Sequence, residues 1–167
     1  MAEIGYHARV SASAVETLFE NREQLINSLG DHTFGKINEL IASITQAPGT
    51  FEQRYFKLCN ALIQHYRSNR DVISFLDHFG NFPFNVDGVK KRESRMISLM
   101  IDFFSEYPLM GQTLSAATVA NLFHENIKIM ARSENVISEN EIAVLASMFF
   151  KAMEQPQSIT VQPLEAA

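Results

Sequence analysis

The sequence has no tryptophan, and Cys59 is the single cysteine among its 167 residues. One thiol cannot form a disulfide within the chain, which excludes the class of small secreted domains held together by disulfides. A free cysteine is usually a small buried hydrophobe, and we interpret Cys59 in that way rather than as a nucleophile. Long hydrophobic runs are also missing. No stretch approaches the roughly 18 apolar residues of a membrane span, so we expect no membrane association.

A secretory signal is also missing from the N-terminal residues. Residues 1–10 include Glu3 and Arg9 and have no apolar core ahead of a small-residue cleavage site. We therefore expect a cytoplasmic protein.

Motifs that carry chemistry are absent from the sequence. It has no glycine-rich phosphate loop, no G-x-S-x-G and no second cysteine for a redox pair. The histidines form neither H-E-x-x-H nor a pair four residues apart that would direct two ligands at one metal. They are His7, His32, His65, His78 and His124. We therefore expect no enzyme, no metal site and no cofactor.

Helical periodicity runs through the chain without a convincing alternating strand, and it predicts an all-α fold. One long connecting helix is predicted over 21–46, because its apolar residues keep helical spacing until the dipeptide Pro48-Gly49 ends it. Thr50 and Gln53 form a capping-box pattern that begins the next helix. A short apolar cluster follows over 69–79.

The second half of the chain predicts three more helices. The segment 87–107 is apolar on nearly every side in its later part, which is typical of a central helix. Two amphipathic helices follow, and Ser138 with Glu141 caps the second of them. Residues 155–167 hold two prolines and no periodicity, and they predict a flexible tail.

Residues 2–25 form the segment on which the functional hypothesis depends. Two short helical patterns flank Arg9-Val10-Ser11, and Ser13 with Glu16 forms a further capping-box pattern. In a helix-turn-helix of this spacing, the two helices pack together and fix the angle at which the second is presented to a DNA major groove. Periodicity alone is equally consistent with a plain αα-hairpin.

This segment resembles the TetR/AcrR family of regulators. The family pattern runs I-A-x-x-A-G-V-S, then six or seven residues to an aromatic, then S-K-E-x-L. The matching residues here are Ile4, Ala8-Arg9-Val10-Ser11, Val15, Phe19 and Asn21-Arg22-Glu23-Gln24-Leu25. The family's later order of a connecting helix, sensor helices and two final dimer helices is similar to the order of helices predicted here.

The resemblance implies three parts of the chain. They are a partial helix-turn-helix DNA-binding domain over 1–25, a TetR-like helical ligand-binding and dimerisation domain over 26–154, and a flexible tail over 155–167. The family has a first helix of on the order of 11 to 15 residues ahead of the motif, and we expect it to be lacking or truncated here. Arg9 stands where the family's turn usually has glycine.

The resemblance identifies four candidate DNA-binding residues, Ser11, Ser13, Thr17 and Arg22. The serines are hydroxyl donors near a helix N-terminus, and Arg22 lies at the position of the family's phosphate-contacting lysine. The alternatives are that the serines only cap a helix and that Thr17 and Arg22 are solvated surface residues. Residues 1–25 carry two arginines against four glutamates, and the net charge is −5. Because phosphates demand positive charge, any DNA contact must be local.

Aromatic and methionine side chains are concentrated in the middle helices, as in an apolar pocket for a small molecule. The nine candidate ligand-binding residues are Phe56, His65, Tyr66, Phe75, Phe79, Met96, Met100, Phe103 and Phe104. Among them, His65 and Tyr66 would supply the polar groups. The alternative is ordinary core, because stripes at helical spacing are usually core and methionine also fills irregular cores.

In the family, the last two helices pair into a four-helix dimer interface. The corresponding candidates are Val119, Phe123, Ile127, Leu145, Met148 and Phe149. We therefore predict a TetR-like, ligand-responsive transcriptional regulator, a repressor by analogy with the family, which binds operator DNA as a homodimer. An apolar or amphipathic effector would move the connecting helix and change the separation of the two recognition helices. The alternative is a DNA-binding-deficient TetR-like sensor or protein-interaction module, which the acidic recognition helix favours.

Overall fold

The computed structural model describes residues 6, 9–78, 87–108, 114–133 and 138–154. All regular structure in these ranges is helical, which confirms the all-α prediction. The helices are α1 (Ala12–Leu18), α2 (Arg22–Thr45), α3 (Phe51–Ser68), α4 (Arg70–His78), α5 (Asp87–Ser105), α6 (Ala116–Arg132) and α7 (Glu139–Glu154). Within the ranges described, no helix is both long enough and apolar enough to cross a membrane. The predicted tail over 155–167 lies outside the described residues.

Local capping explains where several helices begin. Asn21 caps α2, since its side chain accepts a hydrogen bond from the Gln24 backbone N–H over 2.8 Å, and the helix ends at Thr45 as predicted. The capping box of Thr50 and Gln53 at α3 is confirmed, with both reciprocal bonds present. A side-chain oxygen placed at a helix start satisfies backbone N–H groups that have no partner inside the helix.

The predicted cap of the last helix is confirmed in the same way. The Glu141 side chain accepts from the Ser138 backbone N–H over 2.7 Å, and the Glu141 backbone N–H donates to the Ser138 hydroxyl over 3.3 Å. The Glu141 carboxylate accepts from the Ser138 backbone N–H and from the Ser138 hydroxyl, and these two bonds lower the pKa of the carboxyl because they favour its charged form. Such a reciprocal pair is visible in the sequence, since both partners lie within four residues.

Helix α5 is central, as predicted, because it packs between α2 and α6. It is not apolar all round, however. Its inner face holds Met96, Met100 and Phe104, which are fully buried, whereas Arg95 and Asp102 are exposed. The helix is therefore amphipathic, with its apolar excess over 96–104 partly covered by its neighbours.

Helices α2 and α5 approach each other closely at Gly30. A Cβ atom at this position would lie only 2.5 Å from Cγ2 of Val89, so glycine allows the two helices to approach. The same crossing holds a hydrogen bond of 3.3 Å from the Asn38 side-chain amide to the Arg92 carbonyl, and an ion pair of Arg92 with Asp31. Gly30 is thus a packing contact inside one continuous helix.

An aromatic cluster forms the centre of the helical body. The rings of Phe51 and Phe103 are stacked at 4.5 Å, and those of Tyr55 and Phe149 at 5.2 Å. Phe104 packs edge-on against the α6 ring of Phe123 at 5.3 Å. These contacts join α3, α5, α6 and α7, and burial of the rings contributes to the stability of the fold.

Arg54 ties the ends of three helices together beside this cluster. Its guanidinium donates to the Thr45 carbonyl at the end of α2 and pairs with Glu106 just after α5, at 2.5 Å in the second case. The same group lies 5.5 Å above the Phe103 ring, a cation–π distance. The last turn of α2 is thereby attached to α3 and α5.

The N-terminal segment, residues 9–25, has far fewer buried side chains. Val15 is the only buried residue of α1, and Leu25 is the first buried residue of α2. Neither belongs to the main core cluster, which begins at Phe34. Three apolar side chains of this segment, Tyr6, Val10 and Leu18, are exposed.

Candidate functional site

The turn before α1 has an unusual backbone. Arg9 has φ of +58°, the left-handed conformation that glycine adopts without strain and other residues rarely do. Its backbone N–H donates to the Tyr6 carbonyl over 3.2 Å and closes a turn. Arg9 is the position at which the resembling family usually has glycine.

Ser11, rather than Ser13, is the N-cap of α1. The Ser11 hydroxyl accepts from the Ala14 backbone N–H over 3.1 Å, and Ser13 lies within the first turn of the helix. The predicted capping box of Ser13 and Glu16 is therefore wrong. The helix begins two residues earlier because Arg9 completes the turn and leaves Ser11 in the extended conformation that a cap requires.

All four candidate DNA-binding residues are exposed. The hydroxyls of Ser11 and Ser13 are 2.9 Å apart, and the Thr17 hydroxyl donates to the Ser13 carbonyl over 2.7 Å. Arg22 is the first residue of α2, and three residues separate it from the end of α1. The four candidates therefore expose three hydroxyls and one guanidinium to solvent.

Over residues 9–25, acidic side chains outnumber basic ones. Glu16 and Glu20 are exposed and Glu23 is partly buried, whereas Arg9 and Arg22 are the two basic residues. The surface can donate hydrogen bonds to phosphate, but it offers little long-range attraction to DNA.

Five of the nine candidate ligand-binding residues are fully buried in the core, namely Tyr66, Met96, Met100, Phe103 and Phe104. The rings of Phe103 and Phe104 pack against rings of α3, α6 and α7. Phe75 contacts the Phe34 ring edge-on at 6.5 Å and is half-buried. Phe79 lies outside the described residues.

Three of the ligand candidates, Phe56, His65 and Tyr66, lie on α3, and the ring centroids of His65 and Tyr66 are 5.8 Å apart. Phe56 is half-buried and borders shallow depressions between α3 and α7, together with Lys57 and Ala143. His65 is half-buried, and its Nε2 atom is buried without a hydrogen-bond partner. Burial, followed by the nearby charge of Lys36, lowers the pKa of His65 and favours its neutral form.

Tyr66 and His124 form a buried polar pair between α3 and α6. The Tyr66 hydroxyl and Nε2 of His124 are 2.7 Å apart. Burial raises the pKa of Tyr66 and lowers that of His124 to about 4, with Lys128 adding to the second shift. At neutral pH both side chains are uncharged, and each satisfies the other. The Tyr66 hydroxyl is therefore already engaged within the protein.

Asp77 of α4 forms ion pairs with two basic side chains of α6. It pairs with Lys128 at 3.2 Å and with Arg132, while Lys128 also pairs with Glu125 at 2.7 Å. The Lys128 side chain is only 9% exposed, so both of its carboxylate partners are needed to compensate the loss of hydration. This cluster fixes α4 against α6.

An apolar groove of about 420 Å³ lies between α6 and α7. Its floor is formed by Tyr55 and Cys59 of α3, and Asn126 provides an amide in its lining. Cys59 is buried, and burial raises the pKa of its thiol to about 12, as expected of a small buried hydrophobe. The remaining lining residues are Leu114, Val119, Leu122, Phe123, Ile127, Met130, Ile142, Leu145, Ala146 and Phe149. None of the lining residues is charged.

Five of the six candidate dimer residues line this groove, at different depths, and Met148 does not line it. Val119, Phe123 and Ile127 are buried within the protomer and form its inner wall. Leu145 and Met148 are exposed, and Phe149 is half-buried. The outward face of α6 is instead formed by Leu122, Asn126 and Ile129, whose spacing of four and three residues places them on one side of the helix. On α7, Val144 is exposed as well. The spacing of Leu122, Asn126 and Ile129 is the sequence signal that would have identified this outward face of α6.

The comparison with protein-family models gives no match to this sequence, and the comparison with curated proteins gives none either.

Proposed function

We propose that this chain is a TetR-like, ligand-responsive transcriptional regulator that acts as a homodimer and represses by binding operator DNA through α1. The observation that carries the proposal is the left-handed turn at Arg9, followed at once by Ser11 as the cap of α1. A turn of this kind, with a glycine-like conformation at the motif's glycine position, supports a helix-turn-helix over a plain hairpin.

The length of α2 supports a connecting role for this helix. Its 24 residues span about 36 Å at 1.5 Å per residue, from the end of α1 to the aromatic cluster. Contacts with α5 at Gly30, Asp31 and Asn38 attach α2 to the helical body. An effector that favours one arrangement of the body would shift α2 and, with it, α1.

The effector is proposed to be an apolar or amphipathic small molecule. The groove between α6 and α7 and the shallow depressions beside Phe56 are apolar surfaces, whereas the predicted interior position among Met96, Met100 and Phe104 is filled by packed side chains. An interior pocket would therefore require the body to open when the effector binds.

The test is DNA binding of the 167-residue chain, measured by fluorescence anisotropy on the fragment flanking its own gene. A salt series and an unrelated duplex as competitor separate sequence preference from electrostatic attraction. We expect preference for the flanking fragment and affinity that falls steeply with salt. Binding no tighter than to the unrelated duplex would refute the proposal.

A matched pair of variants locates the contact. Arg22→Gln removes the guanidinium beside α1 and should weaken binding several-fold, with a salt slope smaller by about 1. Arg95→Gln removes an exposed guanidinium from α5 and should leave binding unchanged. Equal effects of the two variants would mean that α1 does not carry the interface.

A second candidate function is a DNA-binding-deficient TetR-like sensor or protein-interaction module. It is favoured by the exposed apolar residues Val10 and Leu18, the latter 71% exposed, next to the carboxylates of Glu16 and Glu20. Exposed apolar side chains bordered by acidic ones suit a protein partner better than a phosphate backbone. Absence of DNA binding together with an intact dimer would select this function.

A further inference from the structure

A small polar cleft lies between α4 and α6, and it shares no lining residue with the apolar groove between α6 and α7. Its volume is about 170 Å³. Two of its lining residues, Ile73 and Ala131, are buried and form an apolar floor. The other lining residues are polar, namely Arg70, Ser74, Asp77 and Arg132. The cleft therefore combines an apolar floor with hydrogen-bonding walls.

The α4 wall of the cleft holds two side chains whose donors are not used within the protein. Arg70 is exposed, and it forms no hydrogen bond or ion pair with any residue that the structure describes. The Ser74 hydroxyl, one turn further along α4, has no partner in the same ranges, although the Ser74 carbonyl accepts from His78. A guanidinium carries five N–H donors and a hydroxyl carries one. These donors are thus available to a ligand.

Arg132 supplies a second guanidinium from the α6 wall. Its Nη2 atom pairs with the Asp77 carboxylate, and its side chain has no other partner in the described part of the chain. That pair occupies only part of the five-donor group, so further N–H groups can bind a ligand. Arg67 of α3 holds this end of α6, because it donates to the Met130 and Ser133 carbonyls over 3.4 and 3.5 Å.

Asp77 is the only carboxylate that lines the cleft, and its charge is compensated. Oδ1 accepts from Lys128 over 3.2 Å, and Oδ2 accepts from Arg132. Both carboxylate oxygens are therefore engaged. Among the lining side chains, the two guanidinium groups of Arg70 and Arg132 outnumber this one carboxylate. The charge of the lining favours an anionic ligand.

The number of donors indicates which anion fits. Two guanidinium groups and one hydroxyl line the cleft, so a group with three acceptor oxygens can bind all three. A phosphate monoester has three terminal oxygens and a charge of about −1.5 to −2 at neutral pH, whereas a carboxylate has only two oxygens. Arginine also matches phosphate geometry, because it can donate two parallel N–H groups to two oxygens.

The size of the cleft restricts the rest of the ligand. Its volume of about 170 Å³ is below the roughly 300 Å³ at which pockets for drug-sized molecules begin. Only a few carbon atoms can accompany the phosphate, and they would lie on Ile73 and Ala131.

We propose that this cleft binds a small phosphate monoester, whose phosphate is held by Arg70, Ser74 and Arg132 and whose carbon part lies on the apolar floor. The bound phosphate bridges α4 and α6 and adds to the Asp77 ion pairs that already connect these helices. The site goes beyond the proposed regulator, whose effector is apolar or amphipathic, and it does not depend on DNA binding.

The first test measures binding to the full chain by isothermal titration calorimetry. The probes are glycerol 3-phosphate, inorganic phosphate and glycerate, which has three carbons but a carboxylate in place of the phosphate. We expect glycerol 3-phosphate to bind once per chain, and the other two probes to bind more weakly by roughly tenfold or more. Equal binding of inorganic phosphate would assign the cleft to the free ion, and equal binding of glycerate would remove the preference for phosphate. Either result, or no saturable binding of glycerol 3-phosphate, would overturn the proposal.

The second test locates the bound phosphate with a matched pair of arginine variants. Arg70→Gln should weaken binding of glycerol 3-phosphate by roughly tenfold or more, because a charged donor is lost. The thermal unfolding of the ligand-free protein should not change, since Arg70 has no partner among the described residues. Arg95→Gln removes an exposed guanidinium that does not line the cleft, and it should bind like the unchanged chain.

Ser74→Ala is the third variant and removes only a hydroxyl. It should weaken binding of glycerol 3-phosphate severalfold, as expected for one hydrogen bond. Unchanged binding in Arg70→Gln, or equal losses in Arg70→Gln and Arg95→Gln, would overturn the proposal. Unchanged binding in Ser74→Ala would overturn the assignment of three donors and with it the preference for phosphate.

These measurements contain no DNA, so they separate the cleft from the proposed regulator. Binding of glycerol 3-phosphate by a chain that does not prefer operator DNA would support this inference and refute the regulator. Operator binding by a chain that does not bind glycerol 3-phosphate would do the reverse.

Discussion

The N-terminal segment and the helical body differ in how many of their side chains are buried. In the body, rings from α3, α5, α6 and α7 are stacked and buried together, and Arg54 and Asp77 tie helix ends across it. In the segment over 9–25, α1 buries only Val15 and leaves Leu18 exposed. Free energy of folding depends on buried apolar area, so the body contributes nearly all of it.

The difference suggests that the segment can open while the body stays folded. Regions with few buried contacts open with low free energy, and elements that move in recognition come from such regions. The two parts are nevertheless joined by one continuous helix, α2, so their motions are coupled.

The largest expected effect tests the contrast directly. Phe104→Ala removes a fully buried ring from the centre of the aromatic cluster and should lower the free energy of unfolding by about 3–5 kcal/mol. Leu18→Ala, in the thin segment, should change it by less than about 0.5 kcal/mol. Urea unfolding followed by circular dichroism measures both. Similar losses would mean that the segment folds as part of the body.

Acid should weaken the body through His124. Burial lowers its pKa from the ordinary 6.5 to about 4. Between these values the unfolded chain binds a proton and the folded chain does not, so stability is complete above about pH 6.5 and falls as the pH drops to about 4, by up to about 3 kcal/mol.

The variants His124→Gln and His32→Gln isolate this contribution. Unfolding curves of the first should lose most of this pH dependence, whereas the second, at an exposed histidine of α2, should retain it. If His124→Gln keeps the full dependence, the Tyr66–His124 pair is open to water and the body is less closed than its packing indicates.

Two glycines of α2 provide a matched pair at the junction. Gly30→Ala places a Cβ 2.5 Å from Cγ2 of Val89 and should destabilise the protein by about 1–3 kcal/mol, because the helices must separate. At Gly35 a Cβ meets nothing within 4 Å, so Gly35→Ala should stabilise it by up to about 1 kcal/mol through helix propensity. Thermal unfolding distinguishes the two. The same sign for both would show that α2 and α5 are not closely packed.

The smallest effect belongs to the turn. Arg9→Gly removes the cost of a left-handed conformation and should slow amide hydrogen exchange in α1 by about the equivalent of 0.5–1 kcal/mol, with no change in the body. Arg9→Ala keeps that cost but removes the guanidinium, and it should not slow exchange. Slower exchange in both variants would assign the effect to charge instead of backbone conformation.

The sequence allowed features that depend on neighbouring residues to be predicted. The bounds of α2 and the caps at Thr50 and Ser138 are of this kind. The sequence predicts Ser13 as the cap of α1, because Glu16 three residues later completes the capping-box pattern, whereas the backbone turn at Arg9 makes Ser11 the cap.

Packing between distant helices was harder to predict. The apolar spacing of Phe103 and Phe104 identifies a buried face but does not reveal whether the space beside it is empty, since rings from other helices fill it. In the same way α6 has an inner stripe through Phe123 and an outer one through Leu122, and periodicity does not show which faces inward.

The position of the Gly30 contact along α2 determines how far each end of this helix moves when the helix tilts. At 1.5 Å per residue the contact lies about 12 Å from Arg22 and about 22 Å from Thr45. If α2 rocks on this contact as on a fulcrum, its first turn travels about half as far as its last, so tilting that begins at the aromatic cluster reaches α1 at reduced amplitude. Rotation of α2 about its own axis has no such loss. Twist, more than tilt, is therefore the motion that this geometry transmits from the body to the N-terminal segment.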